Sequence, residues 1–287
     1  MSLCLFASDL HGSLERYEKL FGAIEARAPA AVFLGGDLLP HAHLAARPGG
    51  EGDAGFLLGY LGPSLRRLRD RRRESYPAVF VILGNDDPRR EEASLLDPAV
   101  DGLWTYVHDR CVPFGEHRVY GYSYIPPSPF ALKDWERYDV SRFVDPGCIP
   151  PEEGWRSVPV PADVPHRATI REDLARLAGD DPLERAIFLF HSPPYRSNLD
   201  RTALDGMMVD HAPLDVHTGS IAVRRFIEKR QPLVTMHGHI HESARLTGSW
   251  RDRFGRTHAF SAAHDGPELA LVRFDTEDPG AADRELL

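Results

Sequence analysis

The chain has 287 residues, with 43 Asp plus Glu against 34 Lys plus Arg and a formal charge of -9. A hydrophobic share of 42% is that of a globular protein with enough chain for a sizeable core, and excludes a disordered or fibrous chain. The acidic balance argues against nucleic acid or an anionic membrane as partner, since both are usually met by a basic face.

In chain order, Leu3 to Ala7 is a short apolar run that ends before Asp9. It has no basic segment ahead of it and reads as a first core strand, not a signal peptide. Ser13 is placed to cap a helix with Leu14, Tyr17, Leu20, Phe21 and Ile24 on one face. A second strand is expected at Ala30 to Leu34. A helix through Leu57, Leu58, Leu61, Leu65 and Leu68 is expected to be interrupted near Pro63. Its Arg66, Arg67, Arg69, Arg71, Arg72 and Arg73 read as a solvated end in preference to an anion-binding patch.

Ala78 to Leu83, Ala186 to Phe190 and Leu233 to Met236 complete five short apolar runs, the signature of strands buried on both faces in a layered α/β protein. His117 to Tyr124, Thr257 to Ser261 and Leu269 to Phe274 alternate more and indicate a second sheet. Ser220 to Arg230 carries Ile221, Val223, Phe226 and Ile227 at helical spacing. Residues 126–165 hold nine prolines in forty residues, with Trp135 and Trp155 among charged groups. Such an excursion is either a substrate-covering loop or a disordered insertion, and its aromatics favour order. No repeat or Ser/Gly-rich linker divides the chain, so residues 1–287 are expected to form one domain with this insertion.

Cys4, Cys111 and Cys148 are odd in number and fit no disulfide or CxxC spacing, which suits a reducing cytoplasm. No apolar run approaches the roughly 18 residues of a membrane span.

Each of the five apolar strands ends in residues able to bind a metal: Asp9-Leu10-His11, Gly35-Gly36-Asp37, Gly84-Asn85-Asp86-Asp87, His191-Ser192, and His237-Gly238-His239-Ile240-His241. In open α/β sheets, ligands gather at the carboxyl ends of strands, where residues distant in sequence converge. Imidazole and carboxylate suit first-row cations such as Mn, Fe and Zn, and the lack of cysteine argues against a thiolate site. Taken singly, an Asp at a strand end is more often a cap or turn residue, and a lone His more often a satisfied core group. Their joint recurrence in this order outweighs that reading.

These five motifs, spanning Asp9 to His241, resemble the signature of calcineurin-like metallophosphoesterases. The resemblance implies a four-layer α/β/β/α sandwich of two mixed sheets flanked by helices, with two divalent metal ions. Carried over by position, Asp9, His11 and His241 would hold one metal, Asn85, His191 and His239 the other, and Asp37 would bridge them. It implies hydrolysis of a phosphate ester, with a phosphodiester preferred, by a hydroxide bridging the metals. The substrate would be a small phosphoester such as a nucleotide. Phosphomonoesterase, nuclease and dinucleoside polyphosphate hydrolase are the alternative activities. From His191 onward the chain looks closest to predicted phosphoesterases related to bacterial cyclic-nucleotide phosphodiesterases.

One position departs from the family. Where it usually has a His that contacts the scissile phosphate, this chain has Asp86, an anion near neutral pH unless its surroundings keep it protonated. Three accounts are open: a substrate with a good leaving group, another histidine in that role, or a metal-binding scaffold with little or no activity. For the second, His217 is the first candidate, because Gly219 and Ser220 open a helix whose N-terminus favours an anion. A structural role for His217 stands beside it. His237 is expected to face away from the metals, and His41, His43, His108, His117, His166, His258 and His264 receive no role.

Overall fold

The computed structural model describes residues 2–41, 54–97 and 100–287, so His43 lies outside the described residues. In chain order the strands are β1 (Leu3–Ala7), β2 (Ala31–Gly35), β3 (Ala78–Ile82), β4 (Thr105–Tyr106), β5 (Arg110–Phe114), β6 (His117–Tyr122) and β7 (Ala186–Phe190). They continue as β8 (Met208–Val209), β9 (Ala212–Pro213), β10 (Val234–His237), β11 (Arg251–Phe254), β12 (Thr257–Ser261), β13 (Ala270–Asp275) and β14 (Asp283–Leu286). One six-stranded sheet has the order β14-β13-β1-β2-β3-β4, the other β11-β12-β10-β7-β6-β5, and β8-β9 is a separate hairpin. Both six-stranded sheets are mixed: β1, β2 and β3 run parallel, as do β6, β7 and β10, while β13 and β11 are antiparallel to their neighbours.

The period of two along each strand assigns its side chains to two layers. Cys4, Phe6, Phe33, Phe80 and Ile82 of the first sheet meet Val119, Ile187, Leu189, Val234, Met236 and Phe260 of the second. The ring of Phe260 lies 5.6 Å from that of Phe274 across this interface. The alternate residues, such as Leu5, Val32 and Val81 or Tyr122, Phe188 and Phe190, face outward and are covered by helices. The principal helices are α1 (Leu14–Arg27), α2 (Gly62–Arg72), α3 (Ile170–Ala178) and α4 (Ile221–Arg230). The result is the four-layer α/β/β/α sandwich.

The sheet assignments correct one expectation. Three of the five apolar runs, β1 to β3, lie in the first sheet and two, β7 and β10, in the second. The Leu269–Phe274 run, expected in a second sheet, forms β13 and pairs antiparallel with β1 in the first. Alternation marks it as a strand but carries no information about which edge it joins.

Helix α1 begins at Ser13, whose hydroxyl accepts from the Arg16 N–H at 3.4 Å. Tyr17, Leu20 and Ile24 are buried on its inner face, whereas Leu14 in the first turn is 52% exposed. The leucine-rich helix is not broken at Pro63. A π-helical turn at Leu57–Leu61 runs directly into α2, and Pro63 falls in the first turn of α2, where the absent N–H costs little. Arg71 and Arg72 of the arginine run bond the side chain and carbonyl of Glu25 on α1. Among the described residues no helix is long and apolar enough to cross a membrane, and all three cysteines are free thiols.

Residues 126–165 contain little regular structure but are ordered by specific contacts. Trp135 is fully buried, and Lys133 and Glu136 form an ion pair with both side chains inaccessible. The segment is a strap laid against one end of the sandwich. Its Asp139 carboxylate accepts from the Ser220 hydroxyl and from the Ile221 and Ala222 N–H groups at the start of α4.

Candidate metal centre

The parallel pairing of β1, β2 and β3 places their carboxyl ends on one edge, so the turns bearing Asp9, His11, Asp37 and Asn85 are neighbours. They are laced together by the backbone. Asp9 N–H donates to Gly36 O at 3.0 Å, His11 N–H to Asp37 O at 2.8 Å and Gly12 N–H to Leu38 O at 2.9 Å. In the second sheet, β7 and β10 are likewise parallel, which puts His191 beside the turn of His239 and His241. Gly238 N–H bonds the His191 carbonyl at 2.9 Å.

The side chains converge. Ligand atoms of Asp9, His11, Asp37 and His241 all lie within 4.8 Å of one another. His191 Nε2 is 3.3 Å from Asp37 Oδ2 and 3.0 Å from Asn85 Oδ1, and the His191 and His239 rings lie 5.4 Å apart. Asp37 thus stands between the two groups. Asp9, His11, Asp37 and His239 all have positive φ, from 46° to 73°. Such conformations are uncommon outside glycine and persist where the surroundings over-determine them.

The ligand groups are held from behind. Asp37 Oδ1 accepts from the Asp86 N–H at 2.8 Å, and Asp9 Oδ1 from the His239 N–H at 3.0 Å. The Ser8 hydroxyl donates to Asp9 Oδ2. His191 Nδ1 lies 2.8 Å from Gly35 O and can only donate to it, which turns Nε2 toward Asp37 and Asn85. Gly36, at φ 92°, makes this approach possible: a Cβ there would sit 2.7 Å from His191 Nδ1.

The carboxylates and imidazoles of the cluster are strongly coupled electrostatically. Burial alone would raise the Asp9 carboxyl, but its bond to His241 and the charges of His241 and His191 outweigh that and lower it to about 2. Asp37 is likewise lowered, burial being overcome by the charge and hydrogen bond of His191. Burial opposes a charge on His191, yet Asp37 and then Asp9 raise its pKa to about 10. His241 is raised to about 9, Asp9 again overcoming burial. His239 goes the other way, to about 3, through desolvation and the positive charge of His191.

Two further features fit metal ions in this place. His11 Nε2 and His241 Nε2 face each other at 3.2 Å, an arrangement of two ring nitrogens that a shared cation would satisfy. The buried His11 Nδ1 has no hydrogen-bond partner among the described residues. Mixed imidazole, carboxylate and amide oxygen donors are the set expected for a first-row divalent ion.

The family model for calcineurin-like phosphoesterases matches residues 3–243. The chain belongs to that family. The fold is shared with the protein TT1561 of Thermus thermophilus, at 18% identity over 99% of this chain and 98% of that one, with a TM-score of 0.55. It is shared also with a dimetal phosphatase from Danio rerio, at 12% identity over 95% of this chain and 91% of that one, with a TM-score of 0.52. No curated protein sequence matches the chain.

Within this calcineurin-like site, Asp86 is placed at the edge of the cluster. Its carboxylate lies 3.0 Å from His41 Nδ1, 3.8 Å from His11 Nδ1, and accepts from the Asn85 amide at 3.2 Å. Burial, then the charge of Asp37, raises its pKa to about 6 against the opposing pull of His41. Among the described residues no contact brings His217 to the cluster: its Nδ1 pairs with Asp200 at 2.9 Å and its ring edges Tyr195. His237 turns to Ser192 O and the Thr235 hydroxyl, at 2.9 and 2.8 Å.

Several residues that hold the site carry no separate signal in the sequence. Asp87, fully buried, accepts from the N–H groups of Gly84, Leu38 and Leu39 at 2.9 to 3.0 Å and so ties the Asn85 turn to the Asp37 turn. Its place in Gly-Asn-x-Asp is the only hint. Arg16 bonds Asp9 O at 2.7 Å and Gly266 O at 2.5 Å. From the strap, Trp135 Nε1 donates to Asp87 O and Asp134 accepts from the Arg89 N–H, both at 2.8 Å. His41 reaches the site on the turn after β2.

Proposed function

We propose that the chain is a phosphoric ester hydrolase that uses two divalent cations, with manganese, iron or zinc as the fitting metals, and that it acts on small phosphodiesters, nucleotides among them. The observation that carries this reading is the convergence of four ligand groups within 4.8 Å, with His191 and Asn85 gathered on the far side of Asp37. Asp9, His11 and His241 would hold one cation, Asn85, His191 and His239 the other, and Asp37 both. Two such ions supply charge neutralisation at the phosphoryl oxygens and a lowered pKa for water.

The chain's own residues provide placement. The N–H groups of Asp86 and His239 and the Ser8 hydroxyl fix the carboxylate oxygens of Asp37 and Asp9, so that little reorganisation is left to the reaction. A cavity of about 440 Å³ opens beside His11 and His241, with Arg16, His41 and His264 on its wall and Glu15 and Asp265 at its acidic side. Glu15 is paired with Lys19 and Asp265 with Arg245, so the wall presents groups of both signs. The acidic net charge gives no support to a nucleic-acid groove. Three free thiols accord with the reducing cytoplasm as its location.

The test is hydrolysis of bis(para-nitrophenyl) phosphate and para-nitrophenyl phosphate by metal-loaded protein. Turnover that favours the diester and is lost in Asp37→Ala supports the reading. Retention of activity in Asp37→Ala contradicts it, and no metal-dependent turnover over a broad phosphoester panel would favour the scaffold alternative.

A further inference from the structure

The strap is anchored twice between Asp134 and Asp139. At one end, Trp135 Nε1 donates to Asp87 O and Asp134 accepts from the Arg89 N–H, both at 2.8 Å, on the turn that carries Asn85. At the other end, Asp139 Oδ1 accepts from the Ser220 hydroxyl at 2.6 Å and the Ala222 N–H at 3.1 Å, and Oδ2 from the Ile221 N–H at 2.6 Å. Three donors at the start of α4 thus close on one buried carboxylate that the strap supplies.

The start of α4 leads in turn to His191. Ser220 N–H donates to Pro193 O at 2.8 Å and Tyr195 N–H to Ser220 O at 3.0 Å, which fastens Ser220 to the Pro193-Pro194 pair just after His191 and Ser192. There is no slack in this contact: a Cβ on Gly219 would sit 2.7 Å from Pro193 O. A shift at the start of α4 therefore has to move the turn that follows His191.

The two anchors fall on the turns of Asn85 and His191, whose side chains meet at 3.0 Å. Asp9, His11 and His241 are held by other means. The Asp9 and His11 N–H groups donate to Gly36 O and Asp37 O, and His241 Nε2 lies 3.2 Å from Asp9 Oδ1. Among the described residues no hydrogen bond joins residues 126–165 to the turns of Asp9, His11 or His241.

We infer that Asp139 is a positioning residue for one of the two cation positions, the one formed by Asn85, His191 and His239, and that the strap sets the affinity of that position without setting that of the other. This rests on the two-cation reading of the site and adds to it a reason for the two positions to differ.

The experiment titrates manganese into two backgrounds that each leave one position. In His241→Ala the remaining ion takes the Asn85 and His191 side, and in His191→Ala the Asp9 and His11 side. Adding Asp139→Asn should weaken binding about tenfold in the first background and by less than about twofold in the second. Ser220→Ala removes one of the three bonds to Asp139 and should show the same selectivity at a smaller size, which keeps the test open where Asp139→Asn lowers the yield of folded protein.

Equal weakening in both backgrounds would show that Asp139 only supports the fold, and unchanged binding in the His241→Ala background would show that the strap does not act on these ligands. Either result overturns the inference. Fewer than two manganese ions bound by the wild-type chain would instead contradict the two-cation reading, and the role of Asp139 with it.

Discussion

The Trp135 indole N–H donates to the Asp87 carbonyl at 2.8 Å, joining the proline-rich strap to the turn that carries Asn85. The neighbouring Asp134 accepts from the Arg89 N–H on the other side of the same turn. A segment that looks in sequence like an excursion from the fold is thereby part of what holds one group of candidate ligands in place.

Replacing Trp135 with Phe keeps an aromatic ring in the buried position but removes the hydrogen bond. It should lower stability by roughly 1 kcal/mol or somewhat more, and weaken metal retention by about tenfold, as removal of a supporting contact generally does. Urea unfolding and competition with a chelator measure the two effects separately. Unchanged retention would confine the strap to a role in folding.

The two adjacent acids should behave differently. Asp87 is fully buried and satisfies three backbone N–H groups, so Asp87→Ala should cost roughly 3 kcal/mol or more. Asp86 has a side chain 32% exposed, and Asp86→Ala should shift stability by well under half as much. Thermal melts of the two variants decide this, and equal losses would contradict the clamp assigned to Asp87.

Lys133 and Glu136 bury their charges together, with the Lys133 ammonium also bonded to Ser128 O at 2.8 Å. Burial is the main influence on the Glu136 carboxyl and raises it to about 7 despite Lys133. Lys133→Met strands that group, and should cost about 3 to 5 kcal/mol, whereas the combination with Glu136→Gln should recover much of the loss. A single substitution that costs less than the double one would show that the pair is not what orders this part of the strap.

His108 offers a test of pH dependence. It is 7% exposed and its Nδ1 accepts from the Ser123 N–H at 3.0 Å, so the ring is neutral in the fold. Burial, with Arg89 and Arg137 nearby, pushes its pKa well below the ordinary value. As pH falls through about 6.5, the unfolded chain takes up a proton that the folded chain refuses. The stability this group contributes is complete above that pH and is lost below it, by up to about 1.4 kcal/mol per pH unit. Urea midpoints of wild type and His108→Asn, compared from neutral to mildly acidic pH, should converge on acidification. A difference independent of pH would contradict a neutral His108.

What is legible in the sequence is what depends on local pattern. Apolar runs closed by Asp, Asn or His identify strand ends, and Ser13 and Ser220 announce α1 and α4 because a cap is a contact within one turn. The same runs mark a layered α/β protein, and the four-layer sandwich is what the family resemblance of the strand-end motifs implies. The partner of β13 is not legible, because alternation marks a strand without naming its neighbour. Pro63 looks like a break, yet a proline in the first turn of a helix removes no bond. The bracing of the Asn85 turn by Trp135, and the placement of His41 against Asp86, join residues more than forty positions apart and leave no periodic trace. His217 has an attractive local setting, a helix N-terminus, but its imidazole is bound by Asp200.

The central claim is that seven side chains hold two divalent ions on either side of Asp37. Its most direct test is the number of manganese ions bound per chain at saturation, measured in wild type, His241→Ala, His191→Ala and Asp37→Ala. The account predicts two in wild type, one in each histidine variant and weak binding in Asp37→Ala. Fewer than two in wild type, or two retained at full affinity in any of the variants, would contradict it.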